Sequence, residues 1–362
     1  MSRIASLDVA AYRVPTDAPE SDGTLEWDAT TMVLVSVTAG GQTGIGYTYA
    51  DVSAGRLIAS VLTPLVAGRD VMEIPAIWHA MVHGIRNLGR PGVASMAIAA
   101  VDVALWDLKA RLLGLSVADL LGRARQSLAA YGSGGFTSYD DAQLENQLGG
   151  WAADGFGMVK MKVGRDADAD IGRMRRARQA IGPDVQLFAD LNGALSRKRA
   201  LAFAEQAAMQ RVAWLEEPVS SNDLAGLRLM RDRGPVGMDI TAGEYGFDAR
   251  YFRDMLAAGA VDVLQADATR CAGITGFMSA SALCDAFETP LSAHCAPAIH
   301  LHPCLAARKA VHLEWFHDHV RIENMLFEGA PVPSGGRIGT NGAAGLGLTF
   351  KQADAEPYRV AI

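Results

Sequence analysis

The sequence predicts an α/β protein in which a closed barrel of parallel strands and covering helices follows an α+β segment. Two observations carry the barrel. From about residue 131, short apolar runs alternate with amphipathic stretches of helix length, the pattern of parallel strands wrapped by helices. Seven of these runs close on a Lys, Asp, Glu or His, and the closing residues stand 28, 26, 28, 23, 27 and 20 positions apart, one βα unit per step. So many consecutive units favour a TIM-like barrel over an open sheet.

The α+β segment rests on a hairpin pattern. Thr31-Met32-Val33-Leu34-Val35-Ser36-Val37-Thr38 is rich in β-branched residues, Gly40-Gly41 supplies a turn, and residues 44–49 return as a strand. Residues 94–113 then carry apolar side chains at helical spacing and stop at Gly114. Met96, Trp106 and Leu112 in this helix are read as core.

The barrel runs are Met158-Val159-Lys160-Met161-Lys162, Val185-Gln186-Leu187-Phe188-Ala189-Asp190, Val212-Ala213-Trp214-Leu215-Glu216, Met238-Asp239-Ile240-Thr241-Ala242-Gly243-Glu244, Val261-Asp262-Val263-Leu264-Gln265-Ala266-Asp267, Pro290-Leu291-Ser292-Ala293-His294 and Val311-His312-Leu313-Glu314. A polar residue that closes one strand marks only where the chain meets water. An ordered set of seven is more specific. In a barrel all strands point one way, so these side chains gather at the rim where barrel enzymes do their chemistry.

The chain's 362 residues exceed one ordinary core, so two domains, or a barrel with an attachment, are expected. A net charge of −7 gives no basic footprint for nucleic acid. Four cysteines without a CxxC pair argue against a disulfide framework and fit a reducing cytoplasm. The segment after Met1 has no apolar signal core, and no apolar run is long enough for a bilayer. Neither nucleic acid nor membrane is expected as a partner.

Asp190, Glu216 and Glu244 on adjacent strands make a hard oxygen site suited to Mg2+, because three carboxylates packed together repel without a cation. Zinc would favour His or Cys ligands. Lys160 and Lys162 share one face of their strand, and each ammonium is expected to depress its neighbour's proton affinity, helping one act as a base. Asp267 beside His294 forms an acid–base dyad. Lys162 and His294 stand on opposite sides of the barrel, so a substrate between them is flanked on both faces. Metal and ammonium together can stabilise the enediolate formed by removing a proton next to a carboxylate.

These motifs resemble the enolase superfamily and, within it, the mandelate racemase-like subgroup. The resemblance is carried by Lys160-Met161-Lys162, Asp190-Leu191-Asn192, Glu216-Glu217-Pro218, Gly243-Glu244, Asp267-Ala268-Thr269-Arg270, Gly273-Ile274-Thr275-Gly276, Ser292-Ala293-His294 and Leu313-Glu314-Trp315, with Ala104-Leu105-Trp106-Asp107-Leu108-Lys109-Ala110 in the N-terminal part. It implies a modified (β/α)7β barrel over residues 128–324, under an α+β capping domain of residues 1–127 to which residues 325–362 return. It implies Asp190, Glu216 and Glu244 as Mg2+ ligands, with Glu217 behind them. Lys162 and His294 are the implied bases, Asp267 backing His294. Lys160 is implied to contact the substrate carboxylate, and Glu314, protonated, to donate a hydrogen bond to it. Asp267 and Arg270 occupy the sixth strand, where lactonising and dipeptide-epimerising relatives carry a Lys; this points to the racemase and acid-sugar dehydratase side.

The expected activity is dehydration of an aldonate or aldarate to a 2-keto-3-deoxy acid. The alternative is a racemase or epimerase of a 2-hydroxy acid; a non-catalytic acid-sugar binder and a zinc hydrolase using His300/His302 or His317/His319 stand further off. Residues 18–30 are expected to form a mobile lid loop. Trp27, Asn192, His319 and Arg321 are candidate substrate contacts. Homo-oligomerisation is implied by the resemblance only.

Overall fold

The computed structural model describes residues 2–362. Three antiparallel strands, β1 (Ser6–Ser21), β2 (Glu26–Ala39) and β3 (Gln42–Tyr49), form one sheet, and the C-terminal strand Arg359–Val360 pairs with the outer edge of β1. Gly40 and Gly41 turn β2 into β3 at φ of 57° and 77°, a backbone that side-chain-bearing residues avoid. Helix Val93–Leu113 lies directly on this sheet. A Cβ on Gly46 would sit 2.3 Å from the Ala100 carbonyl, so the bare glycine face of β3 sets the close approach. Val33, Val35, Ile98, Val101 and Leu105 fill the core between sheet and helix.

The second sheet is a closed barrel of eight parallel strands: β4 (Leu128–Gly134), β5 (Met158–Lys162), β6 (Gln186–Asp190), β7 (Val212–Glu216), β8 (Asp239–Ala242), β9 (Val263–Ala266), β10 (Leu291–Ala293) and β11 (Ala310–Phe316), with β11 closing on β4. β4 escapes the search for apolar runs because it reads Leu-Ala-Ala-Tyr-Gly-Ser-Gly. Its glycines make room for a helix side chain: a Cβ on Gly132 would meet the Trp151 ring at 2.4 Å. Tyr131, Phe188, Trp214 and Val263 pack together inside the barrel, with His312 against the aromatic rings.

The helix after β11, His317–Leu326, ties barrel to cap. Thr30 Oγ1 donates to Asp318 Oδ2 at 2.5 Å, Tyr47 Oη to Glu323 Oε1 at 2.6 Å, and Arg321 Nη2 to the Pro15 carbonyl at 2.6 Å.

Residues 18–30 are not an irregular loop. β1 and β2 continue through them as paired strands, with a shift of register between Pro15 and Glu20, after which Glu20 stands opposite Trp27 and Ser21 opposite Glu26. Asp22 Oδ1 accepts from the Thr24 and Leu25 N–H groups and closes the turn. The hairpin tip is docked: a Cβ on Gly23 would lie 2.7 Å from the Val163 carbonyl and 2.8 Å from that of Leu191.

Candidate active site

The barrel brings the seven rim positions together. Lys162, Asp190 and Glu216 are the last residues of their strands, Asp267 and His294 fall one residue beyond theirs, Glu244 two beyond, and Glu314 lies within β11. Gly243 makes the step to Glu244 possible. Its φ is 135° and a Cβ there would lie 2.1 Å from the Gln265 carbonyl oxygen. Asn192, Glu217, Cys295 and Ala296, just past the strand ends, hold positive φ of 45°, 40°, 51° and 38°. Such backbone in non-glycine residues is costly and clusters at functional sites.

Asp190, Glu216 and Glu244 each offer an oxygen within 4.8 Å of the others, and all three are buried. Glu216 Oε1 and Glu217 Oε1 are buried without a hydrogen-bond partner, whereas Glu244 Oε2 lies 3.2 Å from His294 Nε2. Burial and the neighbouring Asp190 push Glu216 up to about 7, and burial with Glu244 raises Glu217 well above its ordinary value. Orphaned oxygens on mutually repelling carboxylates are what a divalent cation relieves. An all-oxygen set suits magnesium, so the residues present fit that ion.

Lys160 Nζ lies 2.7 Å from Glu216 Oε2, 2.8 Å from Glu314 Oε1 and 3.7 Å from Asp190 Oδ2. Lys162 Nζ pairs with Asp190 and lies 3.3 Å from Asn192 Oδ1. Lys160 does lower Lys162 as expected, but the expected net fall in proton affinity is overturned. Burial pulls both ammonium groups down, but Glu216 and Glu314 beside Lys160, and Asp190 beside Lys162, more than reverse it, and both are raised. A second correction concerns Glu314. It accepts from Ser133 Oγ at 2.6 Å and from the Cys295 N–H at 2.7 Å, besides pairing with Lys160. Burial alone would raise it, but Lys160 and His294 hold it far below the usual carboxylate range. Its three donors cast Glu314 as an acceptor here rather than as the expected protonated donor.

His294 Nδ1 is 2.8 Å from Asp267 Oδ2, and Nε2 is 3.2 Å from both Glu244 Oε2 and Cys295 Sγ. Burial disfavours its imidazolium, but Cys295, Glu244 and Asp267 outweigh burial and raise it. Asp267 is fixed in turn by the N–H and hydroxyl of Thr269, both at 2.7 Å.

The four remaining candidates divide. Asn192 reaches Lys162. His319 stacks on Tyr49 with centroids 3.5 Å apart and accepts the Ala296 N–H at its Nδ1. Trp27 has spent its indole N–H on Glu20 Oε2 at 2.8 Å and packs edge-on against Phe136. Arg321 is held by Asp318 and the Pro15 carbonyl, so its guanidinium serves as a strut between cap and barrel. The His-x-His pairs do not converge. His300 bonds Ala268 and Cys295, whereas His302 bonds Ala118 and Leu346; His317 turns to Asp17 and His319 to Ala296.

Three site features escaped sequence reasoning. Ser133 sits on the unrecognised strand β4. Tyr49, on β3, carries a buried hydroxyl without a partner, and nothing in the cap sequence marks it. Cys295 adjoins His294 in sequence, which was the available signal.

Two family models match. That of the mandelate racemase/muconate lactonizing enzyme N-terminal domain covers residues 7–122, and that of the enolase C-terminal domain-like family covers residues 143–355. The chain is 31% identical over 314 residues to the L-talarate/galactarate dehydratase of Salmonella typhimurium, covering 85% of this chain and 77% of that one. It superimposes with a TM-score of 0.97 and 52% identity on a mandelate racemase/muconate lactonizing enzyme-like protein from Rubrobacter xylanophilus, covering 99% of this chain and 100% of the other. An L-talarate dehydratase from Polaromonas sp. JS666, solved with Mg and L-glucarate, matches with a TM-score of 0.89 and 28% identity over 100% of this chain and 98% of its own. The fold, the carboxylate triad and these matches together place the chain in the mandelate racemase/muconate lactonizing enzyme family of the enolase superfamily.

Proposed function

We propose that the protein dehydrates an acid sugar, an aldonate or aldarate, to a 2-keto-3-deoxy acid with Mg2+ held by Asp190, Glu216 and Glu244. The observation that carries this is the placement of Lys162 and His294 on β5 and just beyond β10, either side of the triad, with His294 locked to Asp267 at 2.8 Å. Mg2+ held by Asp190, Glu216 and Glu244 would supply positive charge to offset the negative charge that develops as the α-proton leaves.

The protein's own groups do the rest. One base takes the α-proton, and the electron pair of the broken C–H bond moves into the carboxylate. Lys162 serves as a base only when the charge of Asp190 is engaged elsewhere, since that pairing keeps its ammonium protonated. His294, as imidazolium, gives its proton to the departing β-hydroxyl, so water leaves and the resulting enol becomes the keto acid. Lys160 contacts the substrate carboxylate and Glu314 orients Lys160. Asn192 and His319 present polar atoms to the substrate, while Trp27 and Arg321 act through the hairpin and strut they hold.

Phe136 and Phe316 pack with Cys295, and Trp27 and Tyr139 lie against them. This apolar wall beside His294 favours, as a second reading, a racemase of a 2-hydroxy acid with a short or apolar chain. The two readings differ in whether a keto product appears, which semicarbazide trapping detects.

We further propose division of the chain at 127/128 and 324/325, action on small carboxylates in the cytoplasm, and a homo-oligomeric state that light scattering would measure. No helix among the described residues is long and apolar enough to cross a membrane.

A further inference from the structure

A second cluster of metal-ligating side chains lies at the junction of cap and barrel and shares no residue with the carboxylate triad. Asp17, Glu20 and His317 each offer one ligand atom within 4.8 Å of the others. Asp17 and Glu20 are both on β1, three residues apart, and would face opposite sides of a regular strand. The register of β1 against β2 shifts between Pro15 and Glu20, and this irregularity brings the two carboxylates together. His317 opens the helix after β11 and lies 3.0 Å from Asp17 Oδ2 through Nε2.

Glu20 is the independent sign of a ligand. It is 0% exposed; Oε2 receives the Trp27 indole N–H, and Oε1 is buried with no partner. An unpartnered buried carboxylate oxygen costs free energy unless something fills it. Burial first, then Asp318 and Asp17, push its pKa up to about 8 against the Trp27 hydrogen bond and Arg321, so its ionised form lacks a sufficient partner within the chain. Beside it opens a cavity of about 580 Å³, lined by Asp17, Tyr139, Gln147, Trp151 and His317, which gives a bound ion room for water.

We propose that Asp17, Glu20 and His317 bind a transition-series divalent cation, zinc in the first instance, which clasps the cap strand β1 to the barrel helix. The donor set selects the metal class. One imidazole and two carboxylates with an open position suit zinc, whereas the triad, with oxygen ligands alone, suits magnesium. The clasp also fixes Glu20, and through it Trp27, so it stiffens the hairpin that lies over the barrel mouth.

The test titrates Zn2+ into protein held in excess Mg2+, by calorimetry and by metal analysis after desalting, in wild type, Asp17→Asn, Glu20→Gln and His317→Gln. Asp17 is exposed, so Asp17→Asn probes the site without threatening the fold. Wild type is expected to retain one more zinc equivalent than any variant, and Asp17→Asn to bind that equivalent about tenfold or more weakly, since even loss of a supporting partner costs a metal site this much. Zinc is also expected to raise the melting temperature of wild type and leave that of Asp17→Asn unchanged. Equal zinc stoichiometry and affinity in all four proteins, which would locate the metal in the triad, overturns the proposal. So does failure of wild type to bind zinc, which would mean that a proton on Glu20 satisfies the site.

Discussion

Lys160 Nζ lies 2.8 Å from Glu314 Oε1 in an ion pair closed to solvent, joining the second and eighth strands across the barrel interior. Breaking such a pair from one side strands a buried charge. In metal-free protein, Lys160→Met and Glu314→Gln are each expected to cost about 3 kcal/mol. The double variant should cost less than the sum by about 1 kcal/mol or more, the coupling of a direct contact. Urea unfolding of the four-membered cycle checks this, and strict additivity would mean that the pair does not act as a unit.

Separate replacement of the two bases should separate two chemistries. His294→Asn removes the imidazolium that protonates the leaving hydroxyl, so turnover is expected to fall by about 10²–10⁴-fold. If Lys162 takes the α-proton, exchange at the α-carbon should persist in His294→Asn and vanish in Lys162→Ala. Proton NMR in deuterium oxide follows both. Retention of full turnover by either variant would remove that residue from the mechanism.

The triad makes stability depend on metal. Chelation should abolish activity, Mg2+ should restore it, and at free Mg2+ a hundred times its Kd the fold should gain about 2.7 kcal/mol. Glu244→Gln should lose most of this gain. Differential scanning calorimetry with and without Mg2+ measures it; an unchanged melting temperature would count against the triad as the binding site.

Four buried histidines, His300, His302, His312 and His319, are lowered by burial and give stability a pH dependence, of which His302 and His312 serve as the examples. Burial lowers His302, which accepts the Ala118 N–H and donates to the Leu346 carbonyl, to about 4, and lowers His312 to about 3. Both folded values lie below the ordinary 6.5. As pH falls through 6.5 the unfolded chain takes up protons that the fold refuses, so stability declines towards pH 4 for His302 and pH 3 for His312. The slope is at most about 1.4 kcal/mol per pH unit for each histidine. Urea midpoints between about pH 7 and pH 5 should fall less in His302→Gln than in wild type; parallel losses would show that His302 does not contribute.

The sequence was most legible where chemistry and periodicity coincide. Runs such as Val185 through Asp190 announce both a strand and its rim residue, and the order of rim residues identifies the site. β4 was invisible because its glycines, shaped by Trp151, remove the β-branched signal. The docked hairpin was hidden by Pro15, Pro19 and polar residues in a strand whose partners lie in other segments. The protonation of Glu314 and of the two lysines depends on pairings across the barrel, Lys160 and His294 beside Glu314 and the carboxylates of Glu216, Glu314 and Asp190 beside the lysines, none of which sequence spacing reveals.

The most direct test of the proposed reaction is incubation of the Mg2+-loaded enzyme with mono- and diacid sugars in deuterium oxide, read by proton NMR beside semicarbazide trapping. The account predicts a 2-keto-3-deoxy product from at least one acid sugar, lost in His294→Asn. No keto product and no α-deuterium incorporation with any acid sugar or 2-hydroxy acid would contradict it.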